Sequence, residues 1–565
     1  MEKVVQKELQ DILDSIDELA NRGSLTRSRA FAAWFAITFF DVEEDDALES
    51  AAADGGNDQG IDMAFADASS EEIVILQAHC PDNLSKVTPK SKWDAVVAAI
   101  PYIKNPKLLA DAGRPDLAEQ LQSLQKANPT YSYTVGLITL GKKSDQIDRS
   151  VAAHSNDPAL KGINFFHYAQ NSIMSKYQSL IDAEAGIPED KLQFSGNYFE
   201  DSGEYGRAWV GSVDASELKR LHTAHQDKLF AGNIRLFLGA RKGGINEQII
   251  RTAQTSPGNF WALNNGITIV ADSAMPIGKP KSSGLQLKRF SIVNGCQTTS
   301  SLVRAGAQGS AKVLARVIAA KVGLKNEIVR YNNSQNAVKI WTVRAADEIQ
   351  EQLRKEFQKV GVTYAPKQAG SRRKRDVLSI ELDKVTQYLA SAEPAFLIQA
   401  IDNKSELFDE PYQKLFKKGI GATSVYLAWL VGRFADEERQ KHLEGLGSDE
   451  NAPLLGVTST YWVTYCTFKM LTKFSDLPSP QITLQRMRFP EFENALRKYV
   501  KKAVEMFYDA AVDSYDREQY GSFKSTLRSS KFLAKIDSKI NSRIVKLSAK
   551  SLPDLSATAK SVKVV

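Results

Sequence analysis

The chain has 565 residues, 43% of them hydrophobic, and a formal net charge of +6. That length suits about three to four domains, each able to bury a core. Three distant cysteines, Cys80, Cys296 and Cys466, form no CxxC pair, which argues against a disulfide framework or a cysteine zinc site and suits a cytoplasmic protein. No apolar run approaches the roughly 18 residues of a membrane helix, so no membrane partner is expected.

The N-terminal stretch MEKVVQKELQDILDSIDELANRG is charged and amphipathic, with Leu9, Ile12, Ile16 and Leu19 near helical spacing, and is wrong for a signal peptide. SRAFAAWFAITFF (Ser28–Phe40) reads as an apolar core helix. A run of nine acidic residues and no basic one spans Asp41 to Asp62. IDMAFAD and EEIVILQAH read as two strands joined by a turn, the second carrying the continuous apolar run of a buried central strand. Helices are predicted around Lys92–Ile103 and Pro115–Ala127, and strands at Tyr131–Leu140 and Ile163–Ala169. This alternation predicts an α/β unit over about the first 190 residues.

From Tyr198 a glycine-rich stretch leads to a predicted helix at Ser216. Strands are then predicted at IRLFLG, ITIVA, LKRFSIVNG and KVLARVIAAK, with a loop at Lys279–Gly284. Beyond about Glu381 the segments SVYLAWLVGRF, YWVTYCTFKML and FENALRKYVKKAVEMFYDAA predict a mostly α-helical region. The segment Lys524–Lys563 has ten basic and two acidic residues. Its excess of eight positive charges exceeds that of the whole chain, and it reads either as a solvated face or as a nucleic-acid contact.

Two groups of residues point to chemistry. Side chains two apart on a strand share a face, so Gln77 and His79 point together while Ala78 points away. A hairpin from Ile61 to His79 then brings Asp62 beside them. Asp54, Asp58 and Asp62 are also ordinary turn residues. The set Asp58-Gln59-Gly60-Ile61-Asp62 followed by Gln77-x-His79 resembles the PD-(D/E)xK restriction-endonuclease fold, in the variant with GxD and then Q-x-K. The resemblance implies a nuclease holding Mg²⁺ or Mn²⁺ with Asp62 and Gln77, with Glu49 as a further ligand or a solvated helix residue, and with His79 positioning water. His79 stands where that family has lysine; it either orients water or binds metal as a mostly neutral ring, or marks an inactive site. Lys86, Lys90 and Lys92 follow closely enough to supply the missing charge.

The second group lies in LFAGNIRLFLG, FWALNNGITIVAD, FSIVNGCQTTSSLVRAG and YNNSQNAVK. These four ordered blocks resemble the AIPR family, the abortive-infection phage-resistance proteins, over about Trp209 to Gly370. The strand, Asn-Gly and helix of IVNGCQTTSSLVRA place unpaired amides at a helix start, which suits an anion. That block also resembles the core of ParB/sulfiredoxin-type domains, with Thr298 where those proteins have arginine. Arg235, Asn264, Asn265, Asn294, Gln297, Asn333, Gln335 and Asn336 would then serve a nucleotide or nucleic acid, or satisfy backbone groups at strand ends. No His or acid in this block completes a nucleophilic set around Cys296, which reads as packing. The loop KQAGSRRKRD offers Lys367, Arg372, Arg373, Lys374 and Arg375 to phosphates.

Together these readings predict a restriction-endonuclease-like domain over 1–195, an α+β AIPR domain over 196–380 and a helical domain with a basic tail over 381–565. The expected role is antiphage defence, either as a metal-dependent nuclease on DNA or RNA or as a nuclease-inactive module sensing a nucleotide, nucleic acid, phage component or other defence protein. A homo-oligomer is compatible with both.

Overall fold

The computed structural model describes residues 2–52, 59–68, 70–185, 187–230, 245–278, 284–306, 311–320, 328, 344, 347–365, 378–447, 449–475, 479–520, 522–548 and 551–562. Two compact units result, Met1–Asn21 with Leu25–Ala337, and Arg22–Ser24 with Val338–Val565. Mixed α/β structure fills the first and helices dominate the second.

The first unit begins with helices α1 (Glu2–Gly23), α2 (Arg27–Phe40) and α3 (Glu44–Ala51). A four-stranded sheet follows in the order β1 (Met63–Asp67), β2 (Glu72–His79), β3 (Ser132–Thr139) and β4 (Ile163–Tyr168). β1 runs antiparallel to β2, whereas β2, β3 and β4 are parallel. Parallel strands need long crossovers. These are α4 (Lys90–Ala98), α5 (Ile100–Lys104), α6 (Lys107–Asp111) and α7 (Pro115–Ala127) between β2 and β3, and α8 (Asp145–Ser155) between β3 and β4. Every residue of β2 except His79 is buried, which explains its unbroken apolar run. One sheet face packs Ile73, Ile75, Val135 and Leu137 against Trp93, Val96, Leu117 and Ile147. On the other, Phe35 meets Tyr168 and Phe40 meets Phe65. α2 has no polar stripe because it is buried nearly all round.

After α9 (Gln170–Ala185), a six-stranded sheet has the order β5-β9-β8-β10-β7-β6. Its strands are β5 (Ile187–Gln193), β6 (Tyr198–Gly203), β7 (Gly206–Asp214), β8 (Ile267–Ile277), β9 (Gly284–Asn294) and β10 (Lys312–Ala320). The glycine-rich stretch after Tyr198, for which no strand was predicted, is the antiparallel β6–β7 hairpin. β8 and β9 are antiparallel, and β10 returns beside β8 in parallel. The return uses α13 (Cys296–Arg304); before β8 come α10 (Ala215–His225), α11 (Ile245–Thr255) and α12 (Phe260–Leu263). Trp209, Ile269, Leu287, Ile292 and Val317 form its core, with Cys296 packed against them as expected. IRLFLG and the loop at Lys279–Pro280-Lys281-Ser282-Ser283 lie outside the described residues.

In the second unit, α14 (Glu348–Gln358), α15 (Leu382–Ser391), α16 (Ala422–Leu446), α17 (Ser459–Phe474), α18 (Pro490–Val512) and α19 (Ser530–Lys546) enclose one core. β11 (Thr363–Ala365) and β12 (Ser379–Glu381) form a short parallel pair. Trp462 stacks on Phe507 and donates its indole N–H to the Leu527 carbonyl at 3.0 Å. The basic C-terminal stretch is built into this core: Phe532, Ile536, Ile540 and Ile544 are buried along one side of α19. Lys535 donates to the Ser514 carbonyl, and Arg543 pairs with Asp513 at 2.7 Å. Among the described residues, no helix is long and apolar enough to cross a membrane.

Candidate functional site

The first cluster is assembled by the entry into β1. Gly60 has φ +79°, and a Cβ there would lie 2.3 Å from the Ala95 carbonyl oxygen. The turn is pressed against α4, and only glycine satisfies both conditions. One residue after Ile61, the Asp62 N–H donates to the Leu76 carbonyl at 2.9 Å, extending the β1–β2 ladder. Since Met63 pairs with Leu76, Asp62 comes opposite Gln77, and paired residues share a face. The expected meeting of Asp62 with Gln77 is therefore present, and His79 follows two residues after Gln77 at the end of β2.

The contacts of Asp62 were not all expected. Gln77 Nε2 donates to Asp62 Oδ2 at 2.6 Å, and the Ala78 N–H donates to the same oxygen at 2.7 Å. Arg29 Nε stands 3.9 Å from Oδ1. Asp62, Gln77 and Arg29 are all buried, at 6%, 7% and 8% exposure. Ser28, beside Arg29 on α2, accepts from the Cys80 N–H at 3.1 Å and ties the end of β2 to the same helix turn. His79 is half-buried. Burial, followed by the charge of Lys92 on α4, holds its pKa below the usual 6.5, so the ring is neutral at pH 7.

This donor set does not fit a hard divalent cation as it stands. Mg²⁺ and Mn²⁺ favour several oxygen ligands carrying net negative charge. Here a single carboxylate has one oxygen engaged by two N–H donors and the other beside a guanidinium. Among the described residues, no three or more His, Cys, Asp or Glu side chains gather for a metal ion. Glu49 lies half-buried in the last turn of α3, which packs on α2 and β1. Asp54 and Asp58 lie outside the described residues. Unit charges about 4 Å apart interact by about 4 kcal/mol at an effective dielectric constant of 20, and about a third of that is tenfold in an equilibrium. Arg29→Gln is thus expected to raise Mn²⁺ affinity about tenfold or more in a titration followed by electron paramagnetic resonance. Unchanged affinity would show that Arg29 does not compete for Asp62.

Arg29 was absent from the sequence-derived candidates. Its signal was a second cation, two residues after Arg27, entering the apolar run of α2, a position that calls for a buried partner.

The second group gathers where β8 begins and β9 ends. Thr268 pairs with Asn294 across these strands. Asn264 Oδ1 accepts from the Gly266 N–H at 2.9 Å and from Thr298 Oγ1 at 3.2 Å. Asn264 thus fastens the loop before β8 to the first turn of α13. Asn265 is exposed, Asn294 and Gln297 are half-buried, and Gly295 is the N-cap with no side-chain cap bond. Arg235, Asn333, Gln335, Asn336, Lys367, Arg372, Arg373, Lys374 and Arg375 lie outside the described residues.

Residues 230–501 match the family model described as AIPR protein. Over this stretch, just under half of the chain, the sequence is identified by that match as AIPR-like. The AIPR region contains Asn264, Asn294 and Gln297 and continues into the helical unit, while the Asp62 cluster lies outside it. No curated protein and no solved structure matches the chain.

Proposed function

We propose that this AIPR protein acts in antiphage defence by abortive infection, and that its N-terminal domain is a restriction-endonuclease-like phosphodiesterase acting on DNA or RNA. The family match supports the defence role. The observation that carries the nuclease reading is the register of β1 on β2, which sets Asp62 against Gln77 with His79 two residues further along the same face. A neutral His79 accepts a hydrogen bond from water and can take its proton, while Lys92 supplies a positive charge beside it. For Mg²⁺ or Mn²⁺ to join this reading, Asp62 would first have to release Arg29.

The contact between Arg29 and Asp62 also favours a second reading. In it the domain is a nuclease-derived module without activity, and the AIPR region recognises a nucleotide, a phage component or another defence protein around Asn264, Asn294 and Gln297.

Supercoiled DNA and structured RNA, incubated with the full chain and Mg²⁺ or Mn²⁺, separate the two. The nuclease reading expects cleavage, reduced in Asp62→Asn by at least the ~10–100-fold typical of losing a group that orients a metal ligand. It further expects faster cleavage by His79→Lys. Absence of cutting by both the wild type and His79→Lys would leave the sensing role.

A further inference from the structure

We propose that the N-terminal domain docks the phosphate backbone of its nucleic acid on a lysine apron formed by Lys86, Lys142 and Lys92, at the C-terminal edge of the parallel strands. This rests on the nucleic-acid reading above and adds where the strand lies.

The apron is built by two loops that run together beyond the strands. The Lys142 N–H donates to the Lys86 carbonyl at 2.8 Å, and the Thr88 N–H donates to the Lys142 carbonyl at 3.1 Å. Val87 and Lys142 form a parallel bridge, and Thr88 Oγ1 lies 3.0 Å from Thr139 Oγ1. These bonds use backbone atoms of Lys86 and Lys142 and leave both side chains exposed. The apron adjoins the candidate site: the His79 carbonyl accepts from the Leu140 N–H at 3.1 Å, two residues before Lys142. Lys92 lies in the first turn of α4, whose N-cap, Pro89, directly follows Thr88.

Charge pairing selects these three lysines from their neighbours. Lys90 pairs with Asp94, and Lys143 pairs with Asp148 at 2.9 Å. Among the described residues, no carboxylate pairs with Lys86, Lys92 or Lys142. The exposed acid Asp82 lies in the first loop, and Asp145, also exposed, is 3.8 Å from Lys143. Unpaired cations on rigid, backbone-bonded loops suit phosphates, and the carboxyl ends of parallel strands are where α/β sheets bind ligands.

The test measures binding of the full chain, in EDTA and across a salt series, to labelled duplex DNA, single-stranded DNA and single-stranded RNA. Lys86→Gln/Lys142→Gln is compared with Lys104→Gln/Lys107→Gln, which removes the same charge from an exposed surface elsewhere. The apron variant is expected to bind about tenfold more weakly, with the slope of log K against log salt shallower by about two, while the control pair follows the wild type. Equal behaviour of the two variants, with the wild type still binding, would overturn the apron and leave the nucleic-acid reading standing. Failure of the wild type to bind any of the three would overturn both.

Discussion

Asp62→Ala is expected to destabilise the N-terminal domain by about 3–5 kcal/mol, the usual cost of breaking a buried charge pair from one side. The substitution removes the acceptor of the Gln77 amide and of the Ala78 N–H, both buried, and the carboxylate facing Arg29. Asp62→Asn retains an oxygen for Ala78 and should cost less. Hydrogen exchange over residues 72–80 reads this locally, with protection falling most at Ala78. Wild-type protection there in Asp62→Ala would mean that the carboxylate does not anchor the end of β2.

Gly266→Ala is expected to cost a further class of stability, about 2–5 kcal/mol in the AIPR region. Gly266 has φ +81°, and a Cβ there would fall 2.4 Å from the Leu314 carbonyl oxygen. The left-handed backbone costs an L-residue roughly 1–2 kcal/mol, and forcing atoms into packed surroundings typically adds 1–3. Leu314 belongs to β10, the neighbour of β8, so the damage should appear as lost protection across both strands and the start of α13. Asn265→Ala, one residue away but exposed, should stay within about 0.5 kcal/mol. Equal stability of the two variants would show that the loop shifts to make room.

Much of this architecture was legible in the sequence. The apolar run Ile73–Val74-Ile75-Leu76 signalled a strand buried on both faces, and the two-residue periodicity from Gln77 to His79 identified the face that Asp62 joins. The parts that escaped have physical reasons. β6 is an edge strand with nearly every residue exposed, so it lacks hydrophobic alternation, and its flanking glycines resemble a connector. The C-terminal basic stretch looked like a tail because its charge dominates its composition, although Phe532, Ile536, Ile540 and Ile544 recur every four residues as a buried helix side requires. Arg29 escaped because spacing along one element cannot reveal a partner on another. Asn264 carries two roles in one motif, and its bonds to Gly266 and Thr298 explain its position without a ligand.

Were a cation to bind at Asp62, helix docking and ion affinity would be reciprocal quantities. If a cation and the α2 guanidinium compete for Asp62, each kilocalorie spent loosening that helix is returned as tighter ion capture, about tenfold for every 1.4 kcal/mol. On the proposed nuclease reading, an effector need never touch the Asp62 cluster to act on it; straining the first turn of α2 would suffice.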